Sequence, residues 1–410
     1  MMTANDAPSG NILLGVTGSI AAYKSAEIVR LLTKRGLDVK VLLTENGARF
    51  IGVETLATLS GHPVYVEMFA AARSDQIGHI SLSDWADVLL IAPATANIIA
   101  KFAGGVADDL LSTTFISCEC PVIIAPAMNS RMYAHPIVQE NIKKLRQIGA
   151  SFIGPEAGEL ACGTSGKGRM SDPETIVDAV SAVARFGLDL KGLNVLISAG
   201  PTREMIDPIR FISNRSSGKM GFALARSAAA RGAKVTLVAG PTSIEAPHGV
   251  EVRKVISAEQ MREAVLDALP GQHAVIMAAA VSDYTPQAPA QQKLKKGPEG
   301  LSLELSRTAD VLAEVSQARA KGQVVVGFAA ETENIVENAR QKLFEKNLDF
   351  IVANDVSLKN SGLEVDVNTA TLLWPDGKVR ALEPMAKREL AETILSEVLA
   401  LLGGVPTALG

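Results

Sequence analysis

An α/β protein with two doubly wound, Rossmann-like parallel sheets is what the order of elements predicts, and three observations predict it. The chain opens a strand–glycine–helix unit twice: at 11–24, where Ile12-Leu13-Leu14-Gly15-Val16 precedes Thr17-Gly18-Ser19, and at 193–221, where Val195-Leu196-Ile197 precedes Gly200 and helical periodicity resumes at Gly218. Short apolar runs alternate with helical segments in both halves, the pattern of parallel strands buried on both faces. At 410 residues, 47% of them hydrophobic, the chain is long enough for two or three domains with ample core. The restart at Leu190-Lys191-Gly192 divides it into a polar tail (1–10), a first domain (11–189) and a second (190–410).

Composition excludes several function classes. A net charge of −4 and only 4% aromatic residues argue against nucleic-acid binding, which wants a basic face with stacking rings. Anionic ligands must therefore be met by local clusters of lysine and arginine. No basic segment precedes the apolar residues after Gly10, and no apolar run reaches about 20 residues, so neither a signal peptide nor a membrane span is expected. The three cysteines, Cys118, Cys120 and Cys162, cannot all pair internally, which points to a reducing cytoplasm.

In the first half, the strand at 12–16 is followed by a helix over 21–35, ended by Gly36. One glycine and two hydroxyls at the helix start suit a single phosphate better than a pyrophosphate, so a mononucleotide such as FMN fits better than NAD. Further strands are expected at 39–43, 88–91 and 122–125, with helices at 98–102 and 137–148. At the strands' carboxyl ends, where such sheets bind ligands, stand Thr44, Pro93-Ala94-Thr95-Ala96-Asn97 and Pro126-Ala127-Met128-Asn129. Two side chains suit proton chemistry. His79 is expected in a loop before the strand at 86–91, as an acid or base or as an inert loop histidine. Cys162 lies in a glycine-rich stretch that reads as a lid, either reaching a ligand or packing under its loop. Cys118 and Cys120 lie beside a strand and read as core or its edge.

Thr17-Gly18-Ser19-Ile20-Ala21, His79, Ala92 through Asn97, Pro126 through Asn129, and Ala161-Cys162-Gly163 with Gly168-Arg169-Met170 together resemble the homo-oligomeric flavin-containing cysteine decarboxylases. The resemblance implies a flavodoxin-like FMN domain, with FMN at Gly18, Ser19, Ile20, Thr44, Pro93, Ala94, Thr95 and Asn97. It also implies His79 as base, Asn129 on the substrate carboxylate, Cys162 as proton donor, and Met128, Gly163, Arg169 and Met170 on the substrate.

The second half differs in the connection after its first strand, because βα loops usually run about 2 to 6 residues and the segment 200–218 is far longer. Ile206, Ile209, Phe211 and Ile212 make it too apolar for a free linker, so it reads as an ordered binding loop. Its Arg203, Arg210, Arg215 and Lys219 suit an anion at the start of the helix over 218–231. A P-loop is excluded, since it needs glycine at Ser213 and a hydroxyl residue at Met220. Strands follow at 235–239, 275–277, 324–328 and 350–353, with antiparallel hairpin strands near 301–305, 370–374 and 379–382. Asp283 falls beyond a strand's carboxyl end, where it could hold a metal or a sugar hydroxyl. Lys293-Leu294-Lys295-Lys296 is a dense cationic turn. Lys342 and Lys346 share one helix face, which taken alone reads as a solvated surface. With the arginine loop, these clusters favour a nucleoside triphosphate.

Gly200-Pro201-Thr202, Asn214 through Gly221, Ala278-Ala279-Ala280-Val281, Asp283, Lys293 through Lys296, and Gly327-Phe328-Ala329-Ala330-Glu331-Thr332 resemble phosphopantothenate–cysteine ligases, and both halves together are similar to the bacterial bifunctional enzymes of coenzyme A biosynthesis. This implies a ligase acting on 4'-phosphopantothenate, L-cysteine and CTP with Mg²⁺ through an acyl-cytidylate. CTP would contact Met277, Ala278, Ala279, Asp283, Lys293, Ala309, Asp310, Val311, Leu312, Phe328, Lys342 and Lys346. Lys293 would stabilise phosphate charge, Asn214 orient the acyl carbonyl and Arg210 bind substrate, with Asp283 as a metal candidate. The first half would then decarboxylate the product to 4'-phosphopantetheine. A homo-oligomer is implied, a dodecamer of decarboxylase trimers with paired ligase domains. The rival readings are a pyridine-nucleotide oxidoreductase and a non-catalytic flavin-domain relative serving as a phosphatase regulatory subunit.

Overall fold

In the computed structural model, which describes residues 10–68, 78–159, 165–247, 249–295, 301–355 and 367–403, the chain separates between Leu188 and Asp189 into two units. Of the expected tail, all but Gly10 lies outside the described residues.

The first unit runs β1 (Asn11–Val16), α1 (Tyr23–Lys34), β2 (Asp38–Leu43), α2 (Val53–Ser60), β3 (Val64–Tyr65), α3 (Gly78–Trp85), β4 (Val88–Ala94), α4 (Ala96–Gly104) and α5 (Leu110–Ser117). It continues through β5 (Val122–Pro126), α6 (Ser130–Tyr133), α7 (Pro136–Gln147), β6 (Ser151–Phe152), the antiparallel pair β7 (Glu156–Glu159) and β8 (Ser165–Arg169), and α8 (Pro173–Phe186). The central sheet is parallel in the order β3-β2-β1-β4-β5-β6. The doubly wound frame is as expected, and its strand order is the Rossmann one, where a flavodoxin-type sheet would run 2-1-3-4-5. Alternate residues of β1 feed two cores: Ile12, Leu14 and Val16 pack with α1 and α8, while Leu13 packs with α4, α5 and α7. Strands so buried must be apolar throughout, which is why they read so plainly in sequence. His79, expected in a loop, instead stands in the first turn of α3.

The second unit runs β9 (Asn194–Ala199), β10 (Arg203–Met205), β11 (Phe211–Ser213), α9 (Lys219–Ala230), β12 (Lys234–Ala239), β13 (Glu251–Lys254), α10 (Ala258–Ala268), β14 (Ala274–Met277), β15 (Tyr284–Pro286), β16 (Leu305–Arg307), α11 (Val311–Ala318) and β17 (Val324–Glu331). It ends with α12 (Ile335–Glu345), β18 (Phe350–Asp355), β19 (Val367–Asn368), β20 (Ala370–Leu373), β21 (Val379–Ala381), β22 (Met385–Ala386) and α13 (Lys387–Leu401). Its sheet, β13-β12-β9-β14-β17-β18-β20-β21, repeats the first unit's order and adds an antiparallel β20–β21 edge. The hairpin strand expected at 301–305 is corrected to Leu305–Arg307, which pairs with Tyr284–Pro286; Leu301, Leu303 and Leu305 are exposed and give that segment no face to bury. The segment 200–218 is the β10–β11 hairpin. No helix among the described residues is long and apolar enough to cross a membrane.

Candidate active sites

In the first unit, a cleft of ≈ 1300 Å³ opens at the carboxyl ends of β1, β2 and β4, lined among others by Thr17, Gly18, Thr44, Asn46, Thr95 and Asn97. It lies where the strand order reverses, between β1 and β4. Thr17 fixes that rim: its Oγ1 donates to the Pro93 carbonyl at 2.7 Å and accepts from Thr95 N at 3.2 Å. Thr95 also caps α4 by accepting from Ile98 N, and Ser19 caps the short helix Ile20–Ala22 by accepting from Ala21 N. Gly18 is required by close approach, because a Cβ there would lie 2.7 Å from Asn46 Cβ. Of the predicted flavin contacts, Gly18, Thr44, Thr95 and Asn97 line the cleft, while Ser19, Ile20, Pro93 and Ala94 frame it in sequence. Ile20 is exposed, whereas Pro93 and Ala94 are buried.

A feature missed from sequence borders the same cleft. Lys101 of α4 bridges Asp108 (2.5 Å) and Asp109 (2.7 Å), and Asp109 caps α5 reciprocally with Ser112. Burial by itself would raise the Asp109 carboxyl, but the bonds from Lys101 and Ser112 outweigh it and hold the group below its ordinary range. The Asp-x-x-Ser spacing was the available signal.

Asn129 caps α6, accepting from Arg131 N at 2.9 Å. Strand β8 rests directly on this segment: Met128 N donates to the Gly168 carbonyl, and a Cβ on Gly168 would sit 2.2 Å from the Met128 carbonyl oxygen. The structure thus brings Met128, Asn129 and Gly168 together. Cys162 and Gly163 lie outside the described residues. Arg169, half committed to Asp172 at 2.9 Å, is exposed, but Met170 is buried in the core at 1% exposure. What Met170 can offer a substrate is therefore backbone.

In the second unit, the segment after β14 is sewn to its neighbours on both sides. Ala280 N donates to the Gly200 carbonyl, Ser282 N to Thr202 Oγ1, and Thr308 Oγ1 to the Ser282 carbonyl at 2.6 Å. Asn214 Nδ2 donates to the Val281 carbonyl at 2.9 Å, so its amide nitrogen is engaged and its oxygen is the free-standing chemistry. Met277, Ala278 and Ala279 lead into this segment and Asp283 ends it, exposed.

The two-lysine face, which taken alone reads as a solvated surface and with the other clusters as a nucleotide contact, is partly covered. Lys342 is half-buried and donates to the Phe328 carbonyl at 3.0 Å; burial pushes its ammonium below the ordinary lysine range, only partly offset by the carboxylates of Glu331, Asp310 and Asp283. Lys346 pairs with Asp310, whose carboxyl also caps α11 through Ala313 N. Val311 and Leu312 are buried, Ala309 exposed, so at this helix start backbone N–H groups are what a ligand can meet. Among the described residues no group of three acidic, histidine or cysteine side chains encloses a metal site, and Asp283 alone does not make one.

In the arginine loop, Arg210 is held by Asp207 through Nε (2.9 Å) and Nη2 (2.5 Å), with its side chain still partly exposed. Asp207, buried, further accepts from Ile209, Arg210 and Leu294 N–H groups, and Arg210 donates to the Leu294 carbonyl. The hairpin tip is thereby tied to the residue beside Lys293. Sequence reasoning missed Asp207, although Asp207-Pro208-Ile209-Arg210 carries a turn signature. Arg203 stacks on Phe211 at 4.5 Å and lines a separate cleft of ≈ 1230 Å³ beside β12 and β13, to which none of the predicted nucleotide contacts belongs.

Comparison with known proteins gives a family for each half of the chain. Residues 2–185 match the flavoprotein family, and residues 190–402 match the DNA/pantothenate metabolism flavoprotein C-terminal domain. The coenzyme A biosynthesis bifunctional protein CoaBC of Bacillus subtilis (strain 168) is 47% identical over 394 residues, covering 95% of this chain and 97% of its own. That of Escherichia coli (strain K12) is 47% identical over 394 residues, covering 94% and 96%. A crystal structure of the C-terminal domain of a CoaBC protein is 41% identical, covering 52% of this chain and 98% of its own, with a TM-score of 0.46. The chain belongs to the CoaBC family of bifunctional coenzyme A biosynthesis enzymes, flavoproteins that combine phosphopantothenate–cysteine ligase with phosphopantothenoylcysteine decarboxylase.

Proposed function

We propose that residues 190–410 ligate 4'-phosphopantothenate to L-cysteine with CTP and Mg²⁺ through an acyl-cytidylate, and that residues 11–189 decarboxylate the product with FMN. The observation that supports this reading is that Gly18, Thr44, Thr95 and Asn97 line an open cleft beyond β1, β2 and β4, while in a second sheet of the same strand order Lys342 donates to the Phe328 carbonyl of β17.

A carboxylate becomes a good electrophile only when its oxygen leaves with a phosphate, and this step gathers negative charge. Lys342, partly desolvated, and Lys346 are suited to neutralise that charge, and Lys293, placed by Asp207 through Leu294, would join them. Asn214 would orient the acyl carbonyl, with Ala278, Ala279, Asp283, Ala309 and Phe328 around the nucleotide. Mg²⁺ keeps several waters and binds through substrate phosphates plus one or two carboxylates; Asp283 fits such a minor part.

The cleft lined by Thr17, Gly18, Thr44, Thr95 and Asn97 at the strands' carboxyl ends fits FMN. When bound, the flavin supplies the two-electron oxidation that lets CO2 depart, and the matching reduction. Asn129 would hold the substrate carboxylate, His79 take a proton, and Cys162 return one. The reading includes a homo-oligomer, for which we take trimer-based dodecamers with paired ligase units, in the cytoplasm.

Mass spectrometry of a reaction with 4'-phosphopantothenate, L-cysteine and CTP tests this: 4'-phosphopantetheine, CO2, CMP and pyrophosphate are expected, and much less product when ATP replaces CTP. A protein that stays colourless after FMN is supplied and leaves CTP intact overturns it.

A further inference from the structure

Two thiols that neither site uses face each other at the opposite end of the first sheet. Cys118 caps the carboxyl end of α5, the chain bends at Cys120 just before β5, and their sulfurs lie 3.4 Å apart. Both are half-buried against the core that includes Leu89, Leu111 and Phe115, beside Trp85. A structural zinc site needs four ligands, and no third donor completes one among the described residues. We propose that Cys118 and Cys120 form a redox-active dithiol, a modification site that closes to a disulfide by exchange with an uncharged low-molecular-weight disulfide.

The order of events follows from the shared hydrogen bond. It holds the Cys120 thiol below its ordinary range and, with burial, pushes Cys118 well above, so Cys120 is the attacking thiolate. Its sulfur bonds to one sulfur of the disulfide RSSR and expels RS⁻. Once Cys120 is in that mixed disulfide its negative charge is gone, and with it the main reason Cys118 kept its proton. Cys118 then gives up its proton, attacks the Cys120 sulfur and expels the second RS⁻; the protein loses two electrons and two protons, and RSSR becomes two RSH. Asp84 and Asp87 carboxylates act on the pair from α3 and the start of β4, which disfavours anionic disulfides and selects an uncharged partner. The helix that Cys118 caps begins at Leu110 and Leu111 in the flavin cleft, so the pair sits at the far end of an element of that cleft.

The test uses the reduced, flavin-loaded full chain with hydroxyethyl disulfide, followed by acid quench, alkylation under denaturing conditions and peptide mapping. The expected peptide spanning residues 118–120 is unalkylated and lighter by two hydrogens, and dithiothreitol restores it. Cys118→Ser should stop at a mixed disulfide on Cys120, and Cys120→Ser should react at Cys118 at least about tenfold more slowly. A wild-type peptide that keeps both thiols alkylatable, or carries two separate mixed disulfides, overturns the proposal, as does equal reactivity of the two variants.

Discussion

The two units share one strand order, yet they fill the crevice beyond the first strand in opposite ways. After β1 the chain turns at Thr17-Gly18-Ser19 and enters a helix at once, leaving an open cleft at the switch point. After β9 it inserts the β10–β11 hairpin before α9, and the hairpin tip is knotted to the Lys293 segment by Asp207 and Arg210. A short turn makes a receptacle for a resident group; a long one brings distant charged residues to a substrate that comes and goes. A doubly wound sheet thus dictates where ligands bind, and the length of one connection decides how the place is furnished.

The largest effect expected from breaking this contrast is at the knot. Asp207→Asn removes the partner of Arg210 and loosens the tie to Leu294, so the ligase, read as pyrophosphate release, should fall on the order of 100-fold, the cost of a misplacement of about 1 Å. Decarboxylation of preformed phosphopantothenoylcysteine by the same protein should be unchanged. Equal loss of both activities would mean that Asp207 serves general stability and that the hairpin is not a device of the second site.

The mirror experiment is Gly18→Ala, whose methyl group meets Asn46 at 2.7 Å. Overpacking costs about 1–3 kcal/mol, so flavin affinity, measured by fluorescence on release, should drop roughly 10- to 100-fold while pyrophosphate release stays normal. Retained flavin with full affinity would show that Asn46 simply steps aside.

Lys342 sharpens the second site by pH. Its ammonium is depressed below the ordinary lysine range by burial, so it loses its proton earlier than a free lysine, and nucleotide affinity should begin to fall at lower pH than an exposed lysine would allow. Lys342→Met should weaken nucleotide binding roughly 10- to 100-fold, the weight of a charge-assisted bond. The stability sign runs the other way. With a folded value below the unfolded one, the charged lysine costs stability at lower pH, and the cost is relieved as pH rises through the window between the two values. Lys342→Met should therefore be more stable than wild type below that window, with an advantage that shrinks as pH rises through it, and a stability difference that is the same at pH 7 and pH 10 would show that burial is not what shifts the group.

How much of this was legible follows from what each residue touches. Val195, Ile197 and Leu196 supply opposite faces of β9 to two cores, so the strand is apolar throughout and reads as such. The turn at Gly18 was legible because strand, glycine and helix are neighbours in sequence. The partial burial of Lys342 was not legible, because it depends on the Phe328 carbonyl, a partner brought up only by the fold. Asp207 was missed because its bond to Leu294 joins segments far apart in the chain. His79 was placed in a loop because α3 has only 8 residues, too short a length for its periodicity to show. Backbone frames are written in local pattern, whereas charges are assigned by tertiary neighbours.

The smallest expected effect lies at the start of α5, where the open cleft borders a capped helix. Asp109 accepts from Ser112 N at 2.8 Å and from Lys101, and losing such a cap costs about 1 kcal/mol, a value that its partial exposure to solvent keeps modest. Because its folded value is held below the unfolded one, the contribution is complete above the unfolded carboxylate value and fades as pH falls through the folded one. Asp109→Asn keeps an acceptor oxygen for the helix but not the charge that meets Lys101. Its stability deficit by urea unfolding should therefore be present at pH 7, shrink as the medium is acidified toward pH 3, and leave pyrophosphate release untouched at every pH. A deficit that is constant over that range would assign the residue's role to helix capping alone and remove Lys101 from the electrostatics of the flavin cleft.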